Sequence, residues 1–133
     1  MWPDYNGASA SGQFACTLDR RRYAPHGRAM HIRPPELCRT MAEVRAGVDG
    51  VDRELVDLLA RRFAYMDAAA RIKADRGAVR DEERKAAVIA NARSRAETAG
   101  LPADEIAAIW NRLVEASIAY ELDAWDRLRA SAS

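Results

Sequence analysis

The sequence predicts an all-α fold, a three-helix protomer with a long first helix, paired in an intertwined homodimer. Three observations carry this. After residue 36 the chain contains a single proline, Pro102, and is rich in Ala, Leu, Arg and Glu, the strong helix formers. Its apolar residues recur there at helical rather than alternating spacing. The first apolar stripe runs further than one compact protomer can cover. At 133 residues the chain is sized for one domain.

The elements follow in order. Residues 1–36 hold four of the five prolines and three of the seven glycines, and show no sustained period. They include Arg20, Arg21 and Arg22, which would suit a nucleic-acid or regulatory arm. Their scarcity of clustered apolar residues favours a disordered extension, or an upstream start ahead of Met30, because little burial would offset the entropy of ordering. Residues 37–133 form the helical domain. The first helix is expected from Thr40, an N-cap, through Val44, Val48, Val51, Leu55, Leu58, Leu59 and Met66 to Arg76, with Gly77 as the stop. Asp81 caps a second helix whose Glu82 and Glu83 suit the positive end of the dipole, and which ends before Gly100. Pro102 at a first-turn position opens a third helix through Ile106, Ile109, Trp110, Leu113, Val114, Tyr120 and Trp125 to about Arg129.

Length decides the quaternary expectation. A helix from Thr40 to Arg76 would span about 55 Å at 1.5 Å per residue, whereas a domain of about 100 residues has a radius of gyration near 13 Å. Its apolar stripe continues along that length, so a second copy of the chain is the simplest cover. The alternative is a surface helix broken at Gly47 or Gly50.

Composition excludes several functions. Twenty-one Lys and Arg against 20 Asp and Glu leave a net charge of +1, so neither nucleic acid nor an anionic membrane is an expected partner. The absence of a long apolar run or a signal-peptide core predicts a soluble, cytoplasmic protein, which suits the two cysteines, Cys16 and Cys38. Both histidines, His26 and His31, precede the helical domain, so zinc sites and Ser–His or Cys–His catalysis are not expected within it. No glycine-rich phosphate loop is present. Neither a metal nor a cofactor is called for. Arg, Lys and carboxylates on helix faces remain for the chemistry.

Arg62 and Lys73 are 11 residues apart and return to within about 20° of one direction on a helix. Arg61 and Arg71 point elsewhere, into solvent. A cationic pair aligned with an apolar stripe wants an anion between its charges; two snorkelling rim cations are the plain alternative. Arg45, 17 residues before Arg62, is rotated by roughly 100° and displaced by about 25 Å, so it can reach that site only in a partner subunit. On the third helix Trp110, Leu113, Ser117 and Glu121 share a face, which turns Ser117 and Glu121 inward. A buried Glu121 needs a cation or a proton. Lys73 or Arg84 would serve, in a purely structural ion pair or a functional one.

The segments MAEVRAGVDGVDRELVDLLARRFAYM, AARIK, VRDEERK and LVEASIAYELDAW together resemble the all-helical chorismate mutase family from about Leu37 to Arg129. The resemblance implies a dimer of three-helix protomers sharing its active sites, and a small dianionic substrate rearranged from chorismate to prephenate. It implies that Arg45 of the partner copy, Arg62 and Arg84 bind the substrate carboxylates, that Lys73 holds the ether oxygen, that Ser117 lies near the ring carboxylate and that Asp81 lies near the ring hydroxyl. Such a rearrangement needs no nucleophile, metal or proton shuttle, only a compact conformer and donors aimed at developing charge.

Two positions depart from the common pattern. Lys85 stands where many members carry a glutamate that touches the hydroxyl. Glu121 stands where many carry glutamine beside the ether oxygen, although other members use an acid there. CRTMAEVRAGVD, ARRFAYMDAAARIKA and IAYELDAW are also similar to the related isochorismate pyruvate lyases, which eliminate pyruvate from isochorismate to give salicylate. A non-catalytic helical dimerisation module is the third reading, but it would have no reason to gather these polar residues toward one point.

Overall fold

The computed structural model describes residues 32–132, so most of the expected N-terminal extension, residues 1–31, lies outside the described residues. Three helices make up the described fold: α1 (Met41–Ile72), α2 (Glu82–Thr98) and α3 (Ala103–Ala130). Short 3-10 turns stand at Pro35–Leu37 and Arg76–Ala78. The all-α expectation holds, with no strand among the described residues.

Local chemistry explains most boundaries. Thr40 Oγ1 accepts from the Glu43 amide at 3.2 Å, and Glu43 Oε2 accepts from the Arg39 amide at 2.7 Å, so the two side chains satisfy donors at the start of α1 reciprocally. Asp81 Oδ1 accepts from the Arg84 amide at 2.9 Å and caps α2. At the other end of α2, Gly100 adopts φ +71°. Its amide bonds to the Glu97 carbonyl while that of Leu101 bonds to Ala96, closing the helix with the left-handed residue that glycine supplies without Cβ strain.

Two boundaries differ from expectation. α1 stops at Ile72 rather than Arg76, with Lys73 turning extended at φ −66°, ψ 120°. Gly77 is not its stop: it lies in the 3-10 turn, where its amide donates to Asp75 Oδ1 at 3.0 Å. The carbonyls at the end of α1 are taken instead by side chains from α3, which removes the need for a glycine cap. Pro102 is the N-cap of α3 rather than its first helical residue.

α1 is unbroken through Gly47 and Gly50 and is about 48 Å long at 1.5 Å per residue. Gly50 is buried because Ile32 lies on it; a Cβ there would come within 2.2 Å of Ile32 Cδ1. The last residues assigned by composition to the extension thus run against α1, with Arg33 Nε 3.5 Å from Glu43 Oε1.

α3 is the central element and packs on both α1 and α2. Val79, Val114 and Ile118 form the buried cluster, flanked by Val88, Leu122 and Trp125. Buried alanines (Ala70, Ala92, Ala96, Ala107, Ala124) let the helices approach closely. By contrast, every residue of 51–61 is exposed, three turns of α1 that no other described element covers. Val48, Val51, Leu55 and Leu58 are each more than half exposed, although they belong to the apolar stripe. Such a contiguous patch marks an interaction surface.

Candidate active site

The second half of α1, the start of α2 and the middle of α3 bring five of the expected residues into one region. Ser117 and Glu121 are buried on α3, one turn apart. Arg62, half-buried on α1, donates to Ser117 Oγ at 2.5 Å, and Ser117 in turn donates to the Leu113 carbonyl at 2.7 Å. The serine is thereby oriented, with its lone pair spent on the guanidinium.

Lys73, where α1 ends, is the counter-charge of Glu121: Nζ lies 2.7 Å from Oε1, with the carboxylate side chain only 5% exposed. Arg84 does not take that role. Glu121 Oε1 is buried yet receives no aligned hydrogen bond within the described residues. It faces the ammonium with capacity left for another partner.

Arg62 and Arg84 carry charges that no described carboxylate neutralises. Burial, and after it the nearby Arg84 cation, hold the Arg62 guanidinium below its ordinary pKa. It stays charged at neutral pH, in a place that disfavours charge. An incoming anion would relieve both costs. Arg84 is exposed, so this side of the site is open within the protomer. Arg61 and Arg71 are exposed, as expected.

Two expected residues stand apart. Arg45 is exposed near the start of α1, and does not join the others within one chain. Asp81 spends one carboxylate oxygen on the α2 cap; its visible effect is to hold the backbone of Arg84 at the site.

The partners of other groups went unread in the sequence. Lys85 is committed to Glu115 on α3, at 2.5 Å, and Arg80 grips the same carboxylate through both terminal nitrogens, at 3.1 and 2.9 Å. The Arg80 and Lys85 bonds hold Glu115 well below the usual carboxylate range, at about 2. Trp125 and Arg129 reach the end of α1. Their four-residue spacing after Glu121 was visible, but their acceptors on α1 were not.

This constellation of oriented cations, a buried carboxylate and a serine on three helices can bind and polarise a small polyanion. It offers no nucleophile–base pair, and among the described residues no cluster of His, Cys, Asp and Glu could hold a metal. Comparison with known proteins agrees with that chemistry. Residues 44–122, more than half of the chain, match the family described as Chorismate mutase type II. The isochorismate pyruvate lyase of Pseudomonas aeruginosa is 32% identical over 101 residues, covering 76% of this chain and all of that relative. Arg62, Lys73, Arg84, Ser117 and Glu121 all fall within the matched span, and this protein belongs to the chorismate mutase type II family.

Proposed function

We propose that the protein is a chorismate mutase, converting chorismate to prephenate in a site shared between two copies of the chain. The observation that carries this reading is the pair of unneutralised guanidiniums, Arg62 and Arg84, beside the Lys73–Glu121 pair. The substrate is a dianion. Its carboxylates supply the charge that Arg62 and Arg84 lack, and Ser117, whose proton goes to the Leu113 carbonyl, lies near the ring carboxylate and orients the Arg62 guanidinium that binds it. Asp81 stands near the ring hydroxyl.

The reaction is an isomerisation. The ether C–O bond breaks as a C–C bond forms between the enolpyruvyl methylene and the ring carbon that bears the carboxylate, and no proton leaves. The protein's work is to hold the compact conformer and to stabilise negative charge growing on the ether oxygen. Lys73 donates to that oxygen, and Glu121 in its protonated form donates as well.

The second copy is required by α1. Its exposed stripe from Val48 to Leu59 is covered when two long helices pair antiparallel, and the same pairing carries Arg45 of one copy to the open side of the other's site. A homodimer with two shared sites follows. No helix among the described residues is long and apolar enough to cross a membrane.

Likeness to an isochorismate pyruvate lyase over that relative's full length favours a second reading, elimination of pyruvate from isochorismate to give salicylate. It uses the same C–O cleavage and the same developing charge. Incubating the protein separately with chorismate and isochorismate decides between them. Prephenate from chorismate is the expected product; salicylate from isochorismate without prephenate makes the lyase correct, and turnover of neither returns the protein to a dimerisation module.

A further inference from the structure

Lys73 is held at both ends by one face of α3. Its ammonium lies 2.7 Å from Glu121 Oε1. Its backbone carbonyl accepts from Trp125 Nε1 at 3.0 Å and from one terminal nitrogen of Arg129 at 2.7 Å. The other terminal nitrogen of Arg129 donates to the Ala70 carbonyl at 2.6 Å. Glu121, Trp125 and Arg129 follow one another at four-residue spacing, which stacks them along one side of the helix. Arg129 Cζ sits 4.3 Å from the Trp125 ring centroid, so the indole supports the guanidinium as it enters the end of α1.

This is where a helix frays. The last carbonyls of α1 have no intrahelical donors, and Lys73 is the first residue whose ψ leaves the helical range. A flexible four-carbon side chain starting from a frayed backbone would sample many directions. With the Lys73 amide bonded to the Ala69 carbonyl at 2.9 Å and its own carbonyl gripped from α3, both flanking peptides are fixed.

We propose that Trp125 and Arg129 are positioning residues, which by gripping the Lys73 carbonyl fix the direction from which its ammonium meets Glu121 and the reacting ether oxygen. The catalytic half of this inference rests on the functional reading above; the structural half does not. Because Arg62 and Arg84 carry substrate binding, loosening Lys73 costs rate more than affinity.

The test uses the full chain with two readouts. In Arg129→Ala, kcat is expected to fall about tenfold or more with KM within about threefold, since small misplacements of an aligned donor are costly. Arg129→Lys, which restores one donor, should recover part of the loss. Trp125→Phe, which keeps the ring and removes the indole N–H, should show a smaller loss of the same kind. The second readout is independent of turnover. The chain has two lysines, Lys73 and Lys85, so ε-13C-lysine labelling yields two assignable NMR signals. In the parent, Glu121→Gln should move the Lys73 signal. In Arg129→Ala the Lys73 signal should shift toward that of a free lysine and lose its response to Glu121→Gln, while Lys85 stays in place. A folded Arg129→Ala protein with an unchanged Lys73 signal, or with a rise in KM at constant kcat, overturns the proposal. Should Arg129→Ala not fold, Trp125→Phe decides by the same criteria. If the parent turns over neither substrate, the functional reading fails and the NMR arm alone decides the positioning.

Discussion

At Glu121 the proposed reaction asks for a hydrogen-bond donor, and a carboxyl group donates only when protonated. The ionised form, facing an ether oxygen that gains negative charge, opposes the transition state. Glu121→Gln offers an amide donor at that position, and its kcat/KM at neutral pH should exceed the parent's. Glu121→Ala should lose on the order of 2 kcal/mol of transition-state stabilisation or more. Values of kcat/KM for the parent and the Gln and Ala variants at neutral pH check this, and equal values for all three would remove Glu121 from the mechanism.

The turn between α1 and α2 is tied to α3 by ion pairs. Arg76 binds Asp126 through two nitrogens, at 2.8 and 3.0 Å, and Arg80 and Lys85 converge on Glu115. These bonds hold the segment that carries Lys73 and Asp81 against α3. Glu115 has its pKa lowered from 4.5 to about 2 in the folded protein. A carboxylate whose folded pKa is depressed contributes stability that is fully present above its unfolded pKa and is lost as pH falls toward the folded value. Glu115→Gln should therefore lower Tm at pH 6, and the gap to the parent should close between about pH 4.5 and 2. Thermal melts across that range measure it. A gap that stays constant with pH would show that Glu115 acts through packing alone.

For the whole molecule, the decisive feature is a helix longer than its own chain can cover. If Arg45 and Arg62 serve one site from different copies, Arg45→Ala and Arg62→Ala proteins should each be inactive. Unfolded and refolded together, they should recover about a quarter of parental activity, since half of randomly paired dimers are mixed and each mixed dimer has one intact site. Heterodimers that form without activity would rule out sharing. Size-exclusion chromatography with light scattering tests the dimer directly. Truncation separates two parts of the N-terminal region. A chain starting at Ile32 should keep kcat within about threefold, a barrier change well under 1 kcal/mol. One starting at Leu37 loses the Ile32 contact on Gly50 and should melt lower, with kcat in the same range.

The helices, their caps at Thr40 and Asp81, the glycine turn at Gly100 and the inward face of Ser117 and Glu121 were all legible in the sequence. Each depends on residues within a turn or two of one another, where the helical period and the capping chemistry act. Arg62 and Lys73 were placed on one side for the same reason. Only the tertiary structure decided that α1 ends at Ile72, that Lys73 rather than Arg84 faces Glu121, that Lys85 turns to Glu115, and that Ile32 lies on Gly50. The donors that end α1 stand 52 to 59 residues further along the chain. No local rule pairs them with their acceptors; helix packing brings them together, and buried carbonyls and charges then take the partners within reach.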